Sequence, residues 1–210
     1  MAINQSKLAH LIFATIGVLI AMQFNIPFFT AALFLVALSI TAFINKSNIN
    51  ILSLCIGMGV IKIIERILFL FIPTSSDTIP SIWINTTIYS THLAIDIILF
   101  LFIALRAPFI RYQFDKRGKD TANIHIMKID IWLIIVMFLY FTVDLAALIE
   151  NFMRHLEHIG FSNETATQFE DWTWVFYHYS DTKRILNGIE FIVIWFALTN
   201  MAKSKIQIGN

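Results

Sequence analysis

The sequence contains few of the polar residues that a water-soluble domain needs on its surface. Charged residues make up 14% of the 210 residues, whereas hydrophobic residues make up 58% and the mean hydropathy is +0.73. So few polar side chains cannot cover a soluble globule of this length. The composition therefore predicts an all-α integral membrane protein.

Cysteine, net charge and catalytic motifs are scarce as well. The single cysteine, Cys55, excludes an intrachain disulfide. A net charge of +1 gives no bias towards nucleic acid. The sequence has no glycine-rich phosphate loop, nucleophile elbow or His-Glu-x-x-His helix, and its six histidines are scattered. We therefore predict no catalytic residue, no metal and no cofactor.

Six apolar segments predict a six-transmembrane-helix bundle that forms a single domain, 1–210. Their approximate bounds are 8–24, 28–44, 51–72, 82–105, 129–149 and 185–201. The first two are close to the minimum length for crossing a bilayer, and the turn between them predicts a helical hairpin. We interpret the first segment as a retained span rather than a cleaved signal sequence.

The distribution of lysine and arginine predicts the orientation of the bundle. Ten of these residues lie on one side of the predicted spans, two lie within a span, and three lie on the other side. Those three are Arg154, Lys183 and Arg184. By the positive-inside rule, both termini are cytoplasmic, the basic loop 106–128 is an inner loop and the aromatic-rich loop 151–183 is an outer one. We expect a bacterial inner (plasma) membrane location.

A polar stripe runs along the fourth predicted span. It consists of Asn85, Tyr89, His92 and Asp96. Positions i, i+4, i+7 and i+11 fall on one face of an α-helix, and ionisable residues inside a membrane indicate function by default. His92 and Asp96 are one turn apart, so they either pass protons or hold a cation, or form a fixed hydrogen bond.

The third span carries Lys62, Glu65 and Arg66, which makes it a marginal membrane helix by itself. Its fourteen Leu, Ile, Val and Phe residues contribute roughly 4 to 8 kcal/mol to insertion, against a cost of roughly 8 to 10 kcal/mol for three charges. Lys62 and Glu65, at i and i+3, can partly neutralise each other. We predict that this charged face turns into the bundle.

The fifth and sixth spans each supply a further polar pair. Tyr140 and Asp144 are four residues apart, and Asn187 and Glu190 are three apart, so each pair shares a helix face. The first two spans have no charged residue in their interiors and are predicted to face lipid or another subunit. The polar path is thus predicted to be lined by Lys62, Glu65, Arg66, Asn85, Tyr89, His92, Asp96, Tyr140, Asp144, Asn187 and Glu190.

Three functions fit this pattern. The first is a small channel or transporter with its path through spans three to six. The second is a non-catalytic sensor or scaffold subunit whose buried charges only hold the helices together. The third is an intramembrane enzyme acting on a lipid-linked substrate, with His92, Asp96 and Asp144 as acid and base.

The loops and composition also predict partners. The lipid bilayer is one, a homo-oligomer is expected, and the basic and aromatic loop 106–128 is typical of a site for anionic lipid or a cytoplasmic protein. His155 and His158 are spaced as an external divalent-metal site requires, but on a polar loop we interpret them as solvent-exposed. No nucleic-acid partner is predicted.

Overall fold

The structure, a computed structural model, describes residues 27–197, and every regular element in that part of the chain is helical. The elements are α1 (Pro27–Ile44), α2 (Ile49–Phe69), α3 (Ser81–Asp115), α4 (Lys128–Met153), a 3-10 turn (Leu156–Ile159), α5 (Asn163–Ala166) and α6 (Trp174–Phe196). The predicted first span, 8–24, and the end of the predicted sixth span, 198–201, lie outside the described residues.

The five long helices form a closed ring. α1 packs against α2, α2 against α3, α3 against α4, α4 against α6, and α6 returns to α1. Hydrogen bonds at both ends fix α3 and α4 as antiparallel neighbours. The Asn151 amide donates to the Ile82 carbonyl at one end (3.0 Å), and the Arg106 guanidinium donates to the Asp130 carboxylate at the other (2.7 Å).

The two ends of the ring differ in charge. Residues 70–80 and 154–173 join helices at one end, which we call the acidic end, and contain five carboxylates and one arginine. Residues 45–48 and 116–127 join helices at the other end, which we call the basic end, and contain four basic residues and one aspartate. The chain therefore places charges of opposite sign at opposite ends.

The interior of the ring changes character along its length. Towards the basic end it is an apolar core in which Met58, Leu99, Leu133 and Met137 are fully buried. We call these four residues the apolar plug. Towards the acidic end, charged and hydroxyl-bearing side chains take the place of apolar ones. The apolar plug thus separates the polar half of the interior from the basic end.

A close approach between α2 and α3 depends on a glycine. A Cβ atom added at Gly57 would lie 1.9 Å from Cζ of the Phe102 ring, which packs against the apolar core. A Cβ atom added at Gly59, two residues later, would meet nothing nearer than Leu38 Cδ1 at 3.9 Å. Gly57 therefore sets the spacing of α2 and α3, whereas Gly59 does not.

At the basic end, a buried ion pair ties three helices together. Arg106 of α3 donates to Asp130 of α4 at 2.7 Å and to the Ser53 hydroxyl of α2 at 3.0 Å. The same Asp130 oxygen accepts the backbone N–H of Met127 at 2.8 Å. Both charged side chains are almost fully buried. This one-to-one pair closes the basic end of the ring.

The start of α6 depends on a carboxylate from α4. The two Glu150 oxygens accept the backbone N–H groups of Val175 and Phe176, each at 2.7 Å. The first N–H groups of a helix have no partner within it, and a negative charge there also complements the helix dipole. Glu150 therefore fixes where α6 begins and packs that helix against α4.

Helix boundaries differ from the predicted spans where charged residues find partners. α3 continues ten residues beyond the predicted span 82–105, through Pro108 to Asp115. It does so because Arg106, which hydropathy assigns to a loop, is buried against Asp130. α6 begins at Trp174, inside the predicted outer loop 151–183, because Glu150 caps it there.

Two helices of the described part of the chain, α3 and α4, are long and apolar enough to cross a membrane, by length and composition. A shorter apolar helix covers Ala31–Ile44. α2 and α6 have sufficient length, but they carry several charged side chains each. The predicted six-span bundle is therefore shown only as an all-helical fold with two apolar helices that indicate membrane association.

Candidate functional site

Four carboxylates, one from each of four helices, converge on two lysines in the polar half of the ring. α2 contributes a lysine and a glutamate, α3 and α4 an aspartate each, and α6 a lysine and a glutamate. We call this set the charge cluster, and its members are Lys62, Glu65, Asp96, Asp144, Lys183 and Glu190.

Lys62 links α2 to α6. Its Nζ atom lies 3.4 Å from Glu65 Oε2 on its own helix and 3.7 Å from Glu190 Oε2 on α6. The rings of Phe34 and Tyr140 face the same ammonium group, with centroids at 5.6 and 5.8 Å. Because Phe34 belongs to α1, the helix predicted to face lipid or another subunit also contributes to the polar interior.

Lys183 links α6 to both α3 and α4. Its Nζ atom lies 3.0 Å from Asp96 Oδ2 and 2.6 Å from Asp144 Oδ1. The rings of Tyr140 and Tyr179 face this ammonium group, with centroids at 4.6 and 5.8 Å. Asp96 and Asp144 thus face the same part of the interior and share one lysine.

Tyr140 connects the two halves of the charge cluster. Its hydroxyl is 2.7 Å from Asn187 Oδ1 and 3.2 Å from Glu190 Oε2, and its ring lies beside both lysines. Asp144 Oδ2 and Glu190 Oε1 are buried, and neither has a hydrogen-bond partner among residues 27–197. Each of these carboxylates therefore has one buried oxygen that makes no hydrogen bond within the described part of the chain.

His92 pairs with a different carboxylate from the one predicted. Its Nδ1 atom lies 3.4 Å from Glu65 Oε1, and its ring stacks on Phe69 with centroids 4.3 Å apart. Asp96, one turn away on the same helix, is paired with Lys183 instead. The fixed hydrogen bond between His92 and Asp96, one of the two alternatives open from the sequence, is thus replaced by contacts from each residue to another helix.

Two tyrosines lie between the charge cluster and the acidic end. The Tyr179 hydroxyl donates to Asp144 Oδ1 at 2.9 Å, and its ring contacts that of Tyr89 edge to face with centroids 4.9 Å apart. Tyr89 is buried, as its place in the predicted stripe requires. Asn85 and Arg66 are half-buried, and neither makes a hydrogen bond or ion pair with the charge cluster in the described part of the chain.

The structure therefore brings together nine of the predicted path residues and adds three that the sequence reasoning missed. The added residues are Phe34, Tyr179 and Lys183. Lys183 was assigned to the outer loop because charges end an apolar run. Helical spacing does identify Lys183. Residues 179, 183, 187 and 190 stand at i, i+4, i+8 and i+11, which places them on one helix face.

A cleft of about 470 Å³ opens at the acidic end, close to the start of α6. Its walls combine carboxylates with large aromatic side chains, which suits cations and lipid headgroups. Glu150, the cap of α6, is one of the residues that line it. The lining residues are Glu150, Asp171, Trp172, Thr173, Trp174, Tyr177 and His178.

His155 and His158, which we interpret from the sequence as solvent-exposed, differ in exposure, because His158 is exposed and His155 is half-buried. His155 Nδ1 lies 2.8 Å from the Asn151 carbonyl, and exposed His158 lies 3.5 Å from Glu157. Glu150, the nearest further carboxylate, caps α6. Within residues 27–197, no group of three or more His, Cys, Asp or Glu side chains is placed to hold a metal ion.

The fold and the charge cluster define an all-helical protein with a charged interior and two membrane-compatible helices. Comparison of this chain with protein-family models, with curated proteins and with solved structures finds no match.

Proposed function

We propose that the protein is a small membrane channel or transporter that binds protons or small cations at the charge cluster. One observation carries the proposal: four carboxylates face two lysine ammonium groups in a largely buried interior. Half-buried Arg66 reduces this surplus of negative charge without removing it. Uncompensated buried charge is expensive, so the surplus favours uptake of protons or cations.

The ion pair at the basic end provides a comparison within the same fold. Arg106 and Asp130 are matched one to one, as expected of charges that only hold helices together. A buried carboxylate oxygen without a partner among the described residues occurs at Asp130 as well as at Asp144 and Glu190. What differs is the ratio of charges, because the charge cluster has four carboxylates for two lysines. This difference favours a binding role over a purely structural one.

The surface of the ring supports placing it in a bilayer. Ile98, Leu105 and Phe138 point outward from the two apolar helices and are more than half exposed. Apolar side chains outside and charged ones inside suit a helical bundle surrounded by lipid. Six spans, a homo-oligomer, cytoplasmic termini and a bacterial inner membrane belong to this proposal, in which the basic end faces the cytoplasm.

The apolar plug and the cleft suggest the direction of access. The charge cluster lies between them, so protons or cations reach it from the acidic end through the cleft. Passage to the basic end requires the apolar plug to open or hydrate. The channel and transporter versions differ in this step, because a channel opens the apolar plug while the path to the acidic end stays open.

The test is ion flux in proteoliposomes. Proton flux and monovalent-cation flux are measured for the unmodified protein, for Asp96→Asn, and for Asp181→Asn as a control carboxylate exposed on α6. Flux that is abolished by Asp96→Asn and retained by Asp181→Asn supports the proposal. An unmodified protein without flux under any gradient, or an Asp96→Asn variant with unchanged flux, overturns it.

A second candidate, the non-catalytic scaffold or sensor subunit, is favoured by the way both lysines bridge separate helices. In that case Lys62→Met combined with Glu190→Gln should fold better than either single variant, because neither Lys62 nor fully buried Glu190 is then left as a charge without the other. The comparison uses the free energy of unfolding in mixed micelles. Improved folding of the double variant together with absent flux selects this candidate.

A further inference from the structure

The two lysines of the charge cluster have the same surroundings. Lys62 contacts two carboxylates and faces two aromatic rings, those of Phe34 and Tyr140. Lys183 also contacts two carboxylates and faces two aromatic rings, those of Tyr140 and Tyr179. Tyr140 forms a wall of both sites. The interior thus contains two adjacent cages, each holding one ammonium group.

The chemistry of these cages is specific for an ammonium group. Carboxylates accept its N–H hydrogen bonds, and aromatic faces attract a weakly hydrated cation. A metal ion needs more oxygen or nitrogen ligands, and residues 27–197 provide no group of three or more His, Cys, Asp or Glu placed to hold one. Two carboxylates and two aromatic faces match NH₄⁺ or a primary amine better than Na⁺.

The helices that build the Lys183 cage allow its lysine to leave. Asp96 and Asp144 belong to α3 and α4, whereas Lys183 comes from α6 at the end of a flexible four-carbon stem. The side chain can therefore withdraw without the carboxylates moving. Lys183 also lies nine residues from the start of α6, on the side of the charge cluster that faces the cleft.

We infer that the two cages are binding sites for small ammonium-type cations, ammonium or a short primary amine, and that Lys62 and Lys183 occupy them as tethered competitors. The inference rests on the proposed function and names its substrate class. An incoming ammonium cation displaces the lysine from the carboxylate pair, and the lysine returns when the cation leaves. No covalent bond is made or broken.

The test is binding of radiolabelled methylammonium to the full-length protein in nanodiscs. A tethered competitor lowers the apparent affinity by the fraction of time it occupies the cage, so Lys183→Ala should bind methylammonium at least about tenfold more tightly than the unmodified protein. Asp144→Asn should weaken binding. Lys116→Ala, which changes an exposed lysine at the basic end, should leave it unchanged.

Competition by other cations distinguishes specific recognition of an ammonium group from a general attraction of cations to the carboxylates. Competition by ammonium but not by equal Na⁺ supports the inference, whereas equal competition by Na⁺ overturns it. If Lys183→Ala does not fold, the unmodified protein alone decides, because absence of saturable methylammonium binding contradicts the inference. Proton flux measured in parallel distinguishes the two proposals. Flux without methylammonium binding refutes only the ammonium sites. Methylammonium binding without any flux refutes only transport.

Discussion

Lys183 Nζ and Asp144 Oδ1 form the shortest ion-pair contact of the charge cluster, at 2.6 Å. The contact joins α6 to α4, and Asp96 extends it to α3 at 3.0 Å. A single lysine therefore holds three helices around the polar interior. The position of this lysine, which hydropathy places outside the membrane, determines how the whole site is organised.

The spacing between α2 and α3 gives the first prediction. Gly57→Ala should lower the free energy of unfolding by about 1 to 3 kcal/mol, because the added methyl group displaces the Phe102 ring. Gly59→Ala on the same helix should instead raise it by up to about 1 kcal/mol through helix propensity. Unfolding in mixed micelles measures both, and equal effects of the two substitutions would contradict the packing described here.

The ion pair at the basic end gives the second prediction. Arg106→Met should destabilise the protein by about 3 to 5 kcal/mol, since it leaves the buried Asp130 carboxylate without its cation. Arg106→Met with Asp130→Asn should recover much of that loss in the same unfolding assay. Lys116→Met, at an exposed position nearby, serves as the control and should have little effect.

The cap of α6 gives the third prediction. Glu150→Ala removes the acceptor of two backbone N–H groups and should cost about 1 to 3 kcal/mol. Hydrogen exchange should accelerate at Val175 and Phe176, while Glu157→Ala, which changes an exposed carboxylate, should leave both amides protected. Unchanged exchange in Glu150→Ala would show that another group caps the helix.

The shared tyrosine gives the fourth prediction. Tyr140→Phe removes the hydroxyl that contacts Asn187 and Glu190 but keeps the ring beside both lysines. Stability should fall by about 1 to 3 kcal/mol because buried polar atoms lose a partner. The free energy of methylammonium binding should change by much less than the free energy of unfolding. Tyr112→Phe, at a position 63% exposed, should change neither quantity.

The sequence predicts the helical fold and most of the charge cluster because both follow from helical periodicity. Tyr140 and Asp144 share a helix face whatever the tertiary structure, and so do Asn187 and Glu190. The predicted proximity of Lys62 and Glu65 is confirmed at 3.4 Å.

The remainder depends on contacts between distant segments. Lys183 and Arg106 lie at the edges of apolar runs, so hydropathy assigns them to loops. Yet each pairs with an aspartate from another helix, Arg106 buried and Lys183 half-buried. The start of α6 depends on Glu150, which lies 24 residues earlier than Trp174 in the chain. Local propensity contains no information about these pairings. A second search for polar residues at helical spacing, extended beyond the apolar run, would identify Lys183.

The closed ring of five helices has a consequence for access from the side. Each long helix runs opposite to the next in the order α1, α2, α3, α4 and α6. The two helices that close the ring, α6 and α1, therefore run in the same direction. Their contact joins segments separated by residues 45–173, and no short turn holds it. Within residues 27–197, it is the one contact of the ring between long helices that run in the same direction. Parting of α1 from α6 would expose Phe34 and then Lys62. If the ring lies in a bilayer as proposed, this would let a solute enter the charged interior from the lipid side.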